Sequence, residues 1–390
     1  MEHTDRTWVT DADCRLDDFR RVVERRTRLS EFPLASAVHS NVLSYEGRDI
    51  RAAAAEPERR AALLAEWARA LMDGPGIVLF KDAFPDLAVV DAATERFFAM
   101  IAEQRAANSA AGDHFAKPGA NDRIWNALEK LCLGDPHLFA RYYANVAVAL
   151  VSEAWLGPGY QVTSQINVVN PGGDAQSPHR DYHMGFQAAD VLARFPIHAH
   201  RLSPVLTLQG AVAHCDMPVE TGPTLYLPFS QGYELGYLAW RRPEFIDYFD
   251  QHRIQLPLAK GDAVFFNPAL FHAAGSNRTH DVKRMANLLQ ISSAYGRAME
   301  SVDRARMSLA LYPALLDLRK TGMLSAQECA HAVAACAEGY SFPTNLDRDP
   351  PLYGLAPETQ AQLMLRALRA NWPSEAFREA IEKQGWRRLP

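Results

Sequence analysis

Cysteine is scarce in this chain: five among 390 residues, none of them in a C-x-x-C pair. An odd count without paired spacing argues against a disulfide framework and for reduced thiols in a cytoplasmic protein. Long apolar runs are missing too. The greasiest stretch, Val146 to Leu156, is broken by Ser152 and Glu153 and is too short to span a bilayer. The opening residues, MEHTDRTWVTDADCRLDDFRR, hold no apolar h-region, so no secretory signal is expected. Charge is not biased to one sign: 41 Lys and Arg stand against 46 Asp and Glu, a net −5, which removes the overall basic bias of a nucleic-acid binder. No Gly-x-Ser-x-Gly, P-loop or Gly-x-Gly-x-x-Gly occurs, so nucleophile-elbow hydrolases and nucleotide-binding enzymes have no support.

What remains is an ordinary globular composition, 48% hydrophobic and 22% charged, which excludes a disordered tail protein and a coiled coil. Residues 57–73 read as an amphipathic helix: Pro57 suits a first turn, and Leu63, Leu64, Trp67, Ala70 and Leu71 recur at helical spacing. Gly74-Pro75-Gly76 stops it, and Ile77–Phe80 follows as a short buried strand. A helix is expected over Leu87–Gln104, an irregular segment over Ala106–Asn126, and a helical region over 127–156. From Tyr160 the texture turns to strands: Gln161–Val169, Val205–Ala213, Thr224–Leu227, Ala263–Phe266 and Asn287–Ser292, with Pro, Gly and Asn turns between them. Several short strands in sequence suggest a β-sandwich or barrel rather than a parallel sheet. Helices return at Met307–Arg319, Ser325–Glu338 and Pro357–Arg369. The expected organisation is a helical region over 1–156, a β core over 157–296 and a helical extension over 297–390, all in one integrated domain. The last of these should pack on the β core and help cover the mouth of its site.

The densest polar cluster is Ser177-Pro178-His179-Arg180-Asp181-Tyr182-His183. In extended chain, side chains alternate sides, so His179 and Asp181 point the same way. An imidazole nitrogen and a carboxylate oxygen on one face are two ligands for a divalent metal. A third imidazole from a distant strand completes a 2-His-1-carboxylate face with positions left open for Fe(II) chemistry. The candidate is His272, just beyond the apolar strand that Gly261-Asp262 launches. Arg278 and Arg284 follow it, and Arg284 opens the apolar stretch Met285–Ile291. An inward arginine beside a metal can grip a carboxylate through two parallel hydrogen bonds, as the far end of a 2-oxoglutarate co-substrate requires.

In these residues the chain resembles the phytanoyl-CoA dioxygenase family of Fe(II)/2-oxoglutarate oxygenases. The resemblance rests on His179-x-Asp181, Gly222-Pro223-Thr224-Leu225-Tyr226-Leu227-Pro228, Gly261-Asp262 and His272…Asn277…Arg284. Ser164-Gln165-Ile166-Asn167 before Asn170-Pro171-Gly172 looks like the strand that precedes the metal motif in ectoine hydroxylase-like members. The resemblance implies a double-stranded β-helix, that is, a mainly β, jelly-roll core with flanking helices. It implies Fe(II) on His179, Asp181 and His272, and 2-oxoglutarate held by Arg284, with Arg278 the lesser candidate and Asn167 a helper. It also implies O2 as co-substrate, succinate and CO2 as products, and oxidation of an unactivated C–H bond, usually by hydroxylation. The chain departs from the family where Pro228-Phe229-Ser230-Gln231 replaces a common Pro-Gly-Ser-His, and where Asn170 replaces a common lysine.

The competing reading is a non-catalytic or differently metallated β-barrel, such as a cupin-like binding protein or isomerase, which needs no carboxylate-anchoring arginine. Halogenation is disfavoured because Asp181 occupies the position a halide needs. His179 and His183 form H-x-x-x-H, a zinc pattern on a helix, but Pro178 argues against helix there. His198-Ala199-His200 and His214-Cys215-Asp216 read as loop and strand polar residues. Trp125 is either core or the wall of a substrate cleft. The expected partner is a small molecule, with no nucleic acid and no membrane.

Overall fold

The computed structural model describes residues 7–107, 119–352 and 354–390. Within them eleven strands form: β1 Ala37–His39, β2 Val42–Glu46, β3 Ile77–Lys81, β4 Asn121–Ile124, β5 Gln161–Val169, β6 Thr207–Ala213, β7 Leu225–Leu227, β8 Ile254–Gln255, β9 Ala263–Phe266, β10 Phe271–Ala273 and β11 Arg284–Ser292. Eight of them make one sheet in the order β1-β2-β3-β9-β6-β11-β5-β4, and three make a second, β10-β7-β8. In the large sheet only β2 and β3 run parallel; the other neighbours are antiparallel.

The alternation of the long strands decides what lies on each side of the large sheet. Val162, Ile166 and Val168 of β5, Leu208 and Val212 of β6, and Met285, Leu289 and Ile291 of β11 join the main core. There they meet helices, among them Pro57–Met72 with its buried Trp67 and Leu71, and Arg304–Lys320 with Leu311, Tyr312 and Leu315. The opposite side of the large sheet faces the small one. One end of this gap is filled by Val42, Ile77, Leu79, Tyr226, Leu256, Val264, Phe266 and Leu270. The other end is open. The outer face of the small sheet is covered by helix Leu16–Val23 and helix Pro243–His252, through Phe19, Phe245 and Phe249.

Several expectations need correction. The region 1–156 is not purely helical: besides the expected β3, strands β1, β2 and β4 lie in it and join the large sheet. Strands of three to five residues are too short to show a period. The helical region expected over 127–156 is built of three helices, Ala127–Gly134, Pro136–Tyr143 and Val146–Leu156. The breaks are chemical: Asp135 accepts from the Leu138 N–H ahead of Pro136, and Asn145 accepts from the Val148 N–H. The segment expected to be irregular, 106–126, contains β4; its residues 108–118 lie outside the described ones. The C-terminal helices do pack on the rest, but not over the cavity mouth. Arg304 donates to the carbonyl of Val162 at 3.0 Å and His331 meets that of Ala144 at 3.1 Å, both on the helical side; among the described residues of the extension only Met299, ahead of these helices, lines the cavity. A last helix, Ser374–Arg388, escaped the sequence pattern because only Phe377, Ile381 and Gln384 of it are buried.

Among the described residues no helix is long and apolar enough to cross a membrane. All five cysteines are free, four of them buried.

Candidate metal centre and its cavity

The open end of the gap between the sheets is a cavity of about 700 Å³. That is within the range of sites that enclose drug-sized ligands. His179, Asp181 and His272 sit in its wall. The segment carrying His179 runs antiparallel to β10: the His179 N–H donates to the His272 carbonyl at 2.9 Å, and the reverse bond is 3.2 Å. The Asp181 N–H donates to the Pro268 carbonyl at 3.0 Å. Backbone pairing thus places the three side chains, and β7 holds β10 from its other side, with Tyr226 opposite His272.

Among the described residues this is the one group of three or more His, Cys, Asp or Glu whose ligand atoms all lie within 4.8 Å of one another. The tautomers follow from the neighbours. His179 Nδ1 faces the Ser177 carbonyl at 3.0 Å and His272 Nδ1 faces the Leu270 carbonyl at 2.8 Å. A carbonyl only accepts, so each Nδ1 carries the proton and each Nε2 turns a lone pair inward. Those lone pairs meet the carboxylate, His179 Nε2 at 3.7 Å from Asp181 Oδ1 and His272 Nε2 at 3.2 Å from Oδ2. Three acceptors converging on one point repel unless a cation lies between them. Two neutral imidazoles and a carboxylate, each imidazole oriented by a backbone carbonyl, form the donor set that Fe(II) takes in facial sites. Burial, then His272, holds the His179 imidazole below its usual range. Gln209, on β6, donates from Nε2 to Asp181 Oδ2.

Arg284 opens β11 and turns into the same cavity at 5% exposure. Its Nη1 donates to the Gly222 carbonyl, its Nε has no partner, and among the described residues no carboxylate pairs with it. Burial pushes its pKa down to about 10. A buried guanidinium without an acid is costly, and an incoming carboxylate relieves that cost. Gly222 can approach so closely because it is glycine. Its φ is +73°, and a Cβ there would lie 2.4 Å from the Ser276 backbone. Asn167, on β5, lines the same wall with its Oδ1 buried and unpartnered. Arg278 is exposed and does not line the cavity.

Other residues singled out in the sequence hold structure. Asp262 accepts from the N–H groups of Asp82 at 3.0 Å and Ala259 at 2.9 Å, fixing the turn into β9. Asn277 donates to the carbonyls of Val169 at 3.0 Å and Val282 at 2.7 Å, closing the loop ahead of β11. Gln231 donates to the Gly74 carbonyl at 2.8 Å, away from the metal residues. His214 is buried between Thr94 and Tyr142, each at 2.8 Å, and His200 meets the Leu192 carbonyl at 3.2 Å. Among the described residues, His183 belongs to no group of ligands. Trp125 lies in the cavity wall, with Arg123 stacked on it 5.0 Å from the ring centre. Sequence reasoning passed over Gln165, Gln209, Gln290 and Tyr182. The three glutamines sit at strand positions whose alternation marks them as facing away from the core, which reads as solvent until a cavity is known to lie there.

The sequence signature described as Phytanoyl-CoA dioxygenase (PhyH) matches residues 50–286. The chain belongs to the phytanoyl-CoA dioxygenase family. The cofactors that go with it are Fe(II) and 2-oxoglutarate, with O2, and the His179–Asp181–His272 cluster has the chemistry to accept such an ion. Among solved structures, the chain is similar to SnoN, a non-heme alpha ketoglutarate dependent epimerase from nogalamycin biosynthesis. That match has 20% identity and a TM-score of 0.41, covering 61% of this chain and 82% of that one. SnoK, a carbocyclase from the same biosynthesis, matches at 19% identity and a TM-score of 0.40, covering 62% of this chain and 88% of that one. AviO1 from Streptomyces viridochromogenes Tue57 matches at 16% identity and a TM-score of 0.42, covering 61% and 97%. No curated protein matches the sequence.

Proposed function

We propose that the protein is an Fe(II)/2-oxoglutarate-dependent oxygenase that hydroxylates, or otherwise oxidises, an unactivated C–H bond of a small molecule, with succinate and CO2 as co-products. The observation that carries this reading is the pairing of two features in one cavity: three converging acceptors from His179, Asp181 and His272, and the buried, acid-free guanidinium of Arg284. A metal-binding protein without a carboxylate co-substrate has no use for the second.

His179, Asp181 and His272 would hold Fe(II), which with 2-oxoglutarate supplies the activation of O2. The remaining work belongs to the chain. Arg284 takes the far carboxylate of 2-oxoglutarate, and Asn167 adds a hydrogen bond to it. Backbone carbonyls fix both imidazole tautomers, and Gln209 fixes the carboxylate rotamer. Leu256, Leu258, Val264 and Leu288 supply an apolar wall that keeps bulk water from the reacting groups. Asp181 retains its carboxylate, so oxygenation is favoured over halogenation. The two facing sheets with the site between them support a double-stranded β-helix. The single main core shared by residues of all three regions supports one integrated domain. Five unbridged cysteines support a cytoplasmic location.

The test is 2-oxoglutarate turnover with Fe(II), measured as succinate. Arg284→Lys keeps the charge and loses the two-point grip. Losing one hydrogen bond to a charged group costs about 1.5–3 kcal/mol, so the Michaelis constant for 2-oxoglutarate should rise roughly tenfold to hundredfold. Arg278→Lys should leave it unchanged. A defect in the Arg278 variant and none in the Arg284 variant would move the anchor to Arg278; no response in either would refute the assignment.

A further inference from the structure

The cavity carries a second polar array, and it lies away from Arg284. Along β11, Arg284 stands opposite Val169 and Gln290 stands opposite Thr163 of β5. That separation is roughly 20 Å at the rise of an extended strand. Around Gln290 gather Gln165, Arg123 and Tyr182, all lining the cavity.

The array has a direction. Arg123 Nη1 donates to Gln165 Oε1 at 2.6 Å. A guanidinium has donors only, so it fixes the Gln165 amide with its oxygen toward Arg123 and its nitrogen away. That nitrogen donates to Gln290 Oε1 at 3.2 Å. Gln290 is therefore turned with its own nitrogen onward, on the side of Tyr182, whose hydroxyl lies within electrostatic reach of Gln290, Arg123, Asp181 and Glu300. Donors point one way along the chain, from a permanent cation outward.

Tyr182 stands where this direction leads. It is 3% exposed and lines the cavity, and its hydroxyl proton has no acceptor; the group beside it, Gln290, turns a donor nitrogen toward the phenol oxygen. Its backbone is held at φ 58°, ψ 154°, a region that is essentially glycine's alone. Tyr182 directly follows Asp181, so the strained residue and a metal-facing one are neighbours. A phenol is protonated at neutral pH and can donate. A buried donor with no acceptor is an unfavourable arrangement that a ligand oxygen removes. The cavity wall also carries Trp125, Phe186 and Trp240, and the Phe186 ring lies 6.1 Å from that of Tyr182. Arg241 lies 3.8 Å above the Trp240 ring.

We infer that the Tyr182 hydroxyl is the substrate-recognition donor of this cavity, and that the substrate is a ring compound bearing a hydrogen-bond-accepting oxygen, a carbonyl or a carboxylate. Its place next to the metal rests on the oxygenase reading above; the recognition itself does not. The ring is taken by the aromatic walls and the oxygen by Tyr182, held in place by Gln290, Gln165 and Arg123. Arg284, at the other end, is left to the co-substrate.

Three probes of one shape test this on the full-length protein loaded with Fe(II) and 2-oxoglutarate without O2: 2-naphthoate, 2-acetylnaphthalene and 2-ethylnaphthalene, measured by equilibrium dialysis. The first two should bind roughly tenfold more tightly than the third, the carboxylate separating from the ketone if a charge is preferred. Tyr182→Phe, which keeps the ring and removes the donor, should close the gap. Gln290→Leu, which removes the group that orients the phenol, should narrow it, and it stands in if the Phe variant is unfolded by its thermal transition. A gap that survives in these variants, no gap in the wild type, or no binding of any probe would each overturn the inference. Calorimetry of 2-oxoglutarate on the same samples separates the two claims. Absent 2-oxoglutarate binding with the gap intact sinks the oxygenase reading alone; normal binding without a gap sinks this inference alone.

Discussion

The two faces of β11 and its neighbours bury side chains to opposite ends. On the helical face, Met285 and Ile291 are almost wholly enclosed among apolar partners. On the cavity face, Arg284, Gln290 and the adjacent Asn167 and Gln209 are polar, and three of the four carry a buried atom with no partner: Arg284 Nε, Asn167 Oδ1 and Gln209 Oε1. Each unsatisfied buried group costs stability; the helical face of β11 keeps one, the Oδ1 of Asn287, whose Nδ2 meets the Tyr142 and Tyr143 hydroxyls, while the cavity face gathers three around one space. A face that keeps several of them in one cavity offers polar groups to a ligand. The helical face builds the sheet; the cavity face uses it.

The harshest way to break the comparison is to remove the helical side. Truncation after Gly296 strips away Leu311, Leu315, Met364 and Phe377, all at most 3% exposed, and uncovers the sheet. The product should be insoluble or unfolded on expression; a well-folded, fully active truncation would show the tail to be a dispensable appendage. A milder contrast comes from one substitution on each face. Ile291→Ala should lower unfolding stability by about 2–5 kcal/mol in urea, since it opens a cavity in a closed core. Asn167→Leu, which removes an unpartnered polar atom, should leave stability nearly unchanged while weakening 2-oxoglutarate binding in calorimetry. Equal stability losses would erase the distinction between the faces.

A pH-dependent contrast concerns His214, on the helical side. Burial pushes its imidazole down to about 3 from an ordinary 6.5. Between those values the unfolded chain binds a proton that the folded one does not, so stability falls as pH drops through that window and is fully present above it. The slope should be roughly 1.4 kcal/mol per pH unit from this group. In His214→Gln the stability profile measured by urea unfolding should be flatter over that range. An unchanged slope would mean the buried imidazole is charged.

Much of this contrast could be read before the fold was seen. Gln161–Val169 and Ala263–Phe266 match β5 and β9 end to end, because alternation and flanking turns leave few other options. His179, Asp181, His272 and Arg284 were legible because few residue types can do their chemistry, and their order along the chain is informative. The short strands β1, β2, β4 and β10 were not, since their pairing depends on partners distant in sequence. Nor were Gln165, Gln209, Gln290 and Tyr182. Glutamine and tyrosine in strands and loops are common on surfaces, and only the second sheet turns those positions into cavity wall.

The metal centre is tested most directly by Fe(II)-dependent succinate formation from 2-oxoglutarate in the wild type and in Asp181→Ala, with iron content and thermal unfolding followed on both. The wild type should bind iron and form succinate only when iron is present. Asp181→Ala should lose that turnover while its thermal transition persists, because the carboxylate supplies both charge and geometry to the open face. Wild-type turnover retained by Asp181→Ala, or no iron-dependent succinate from the wild type, would contradict the assignment of this cavity.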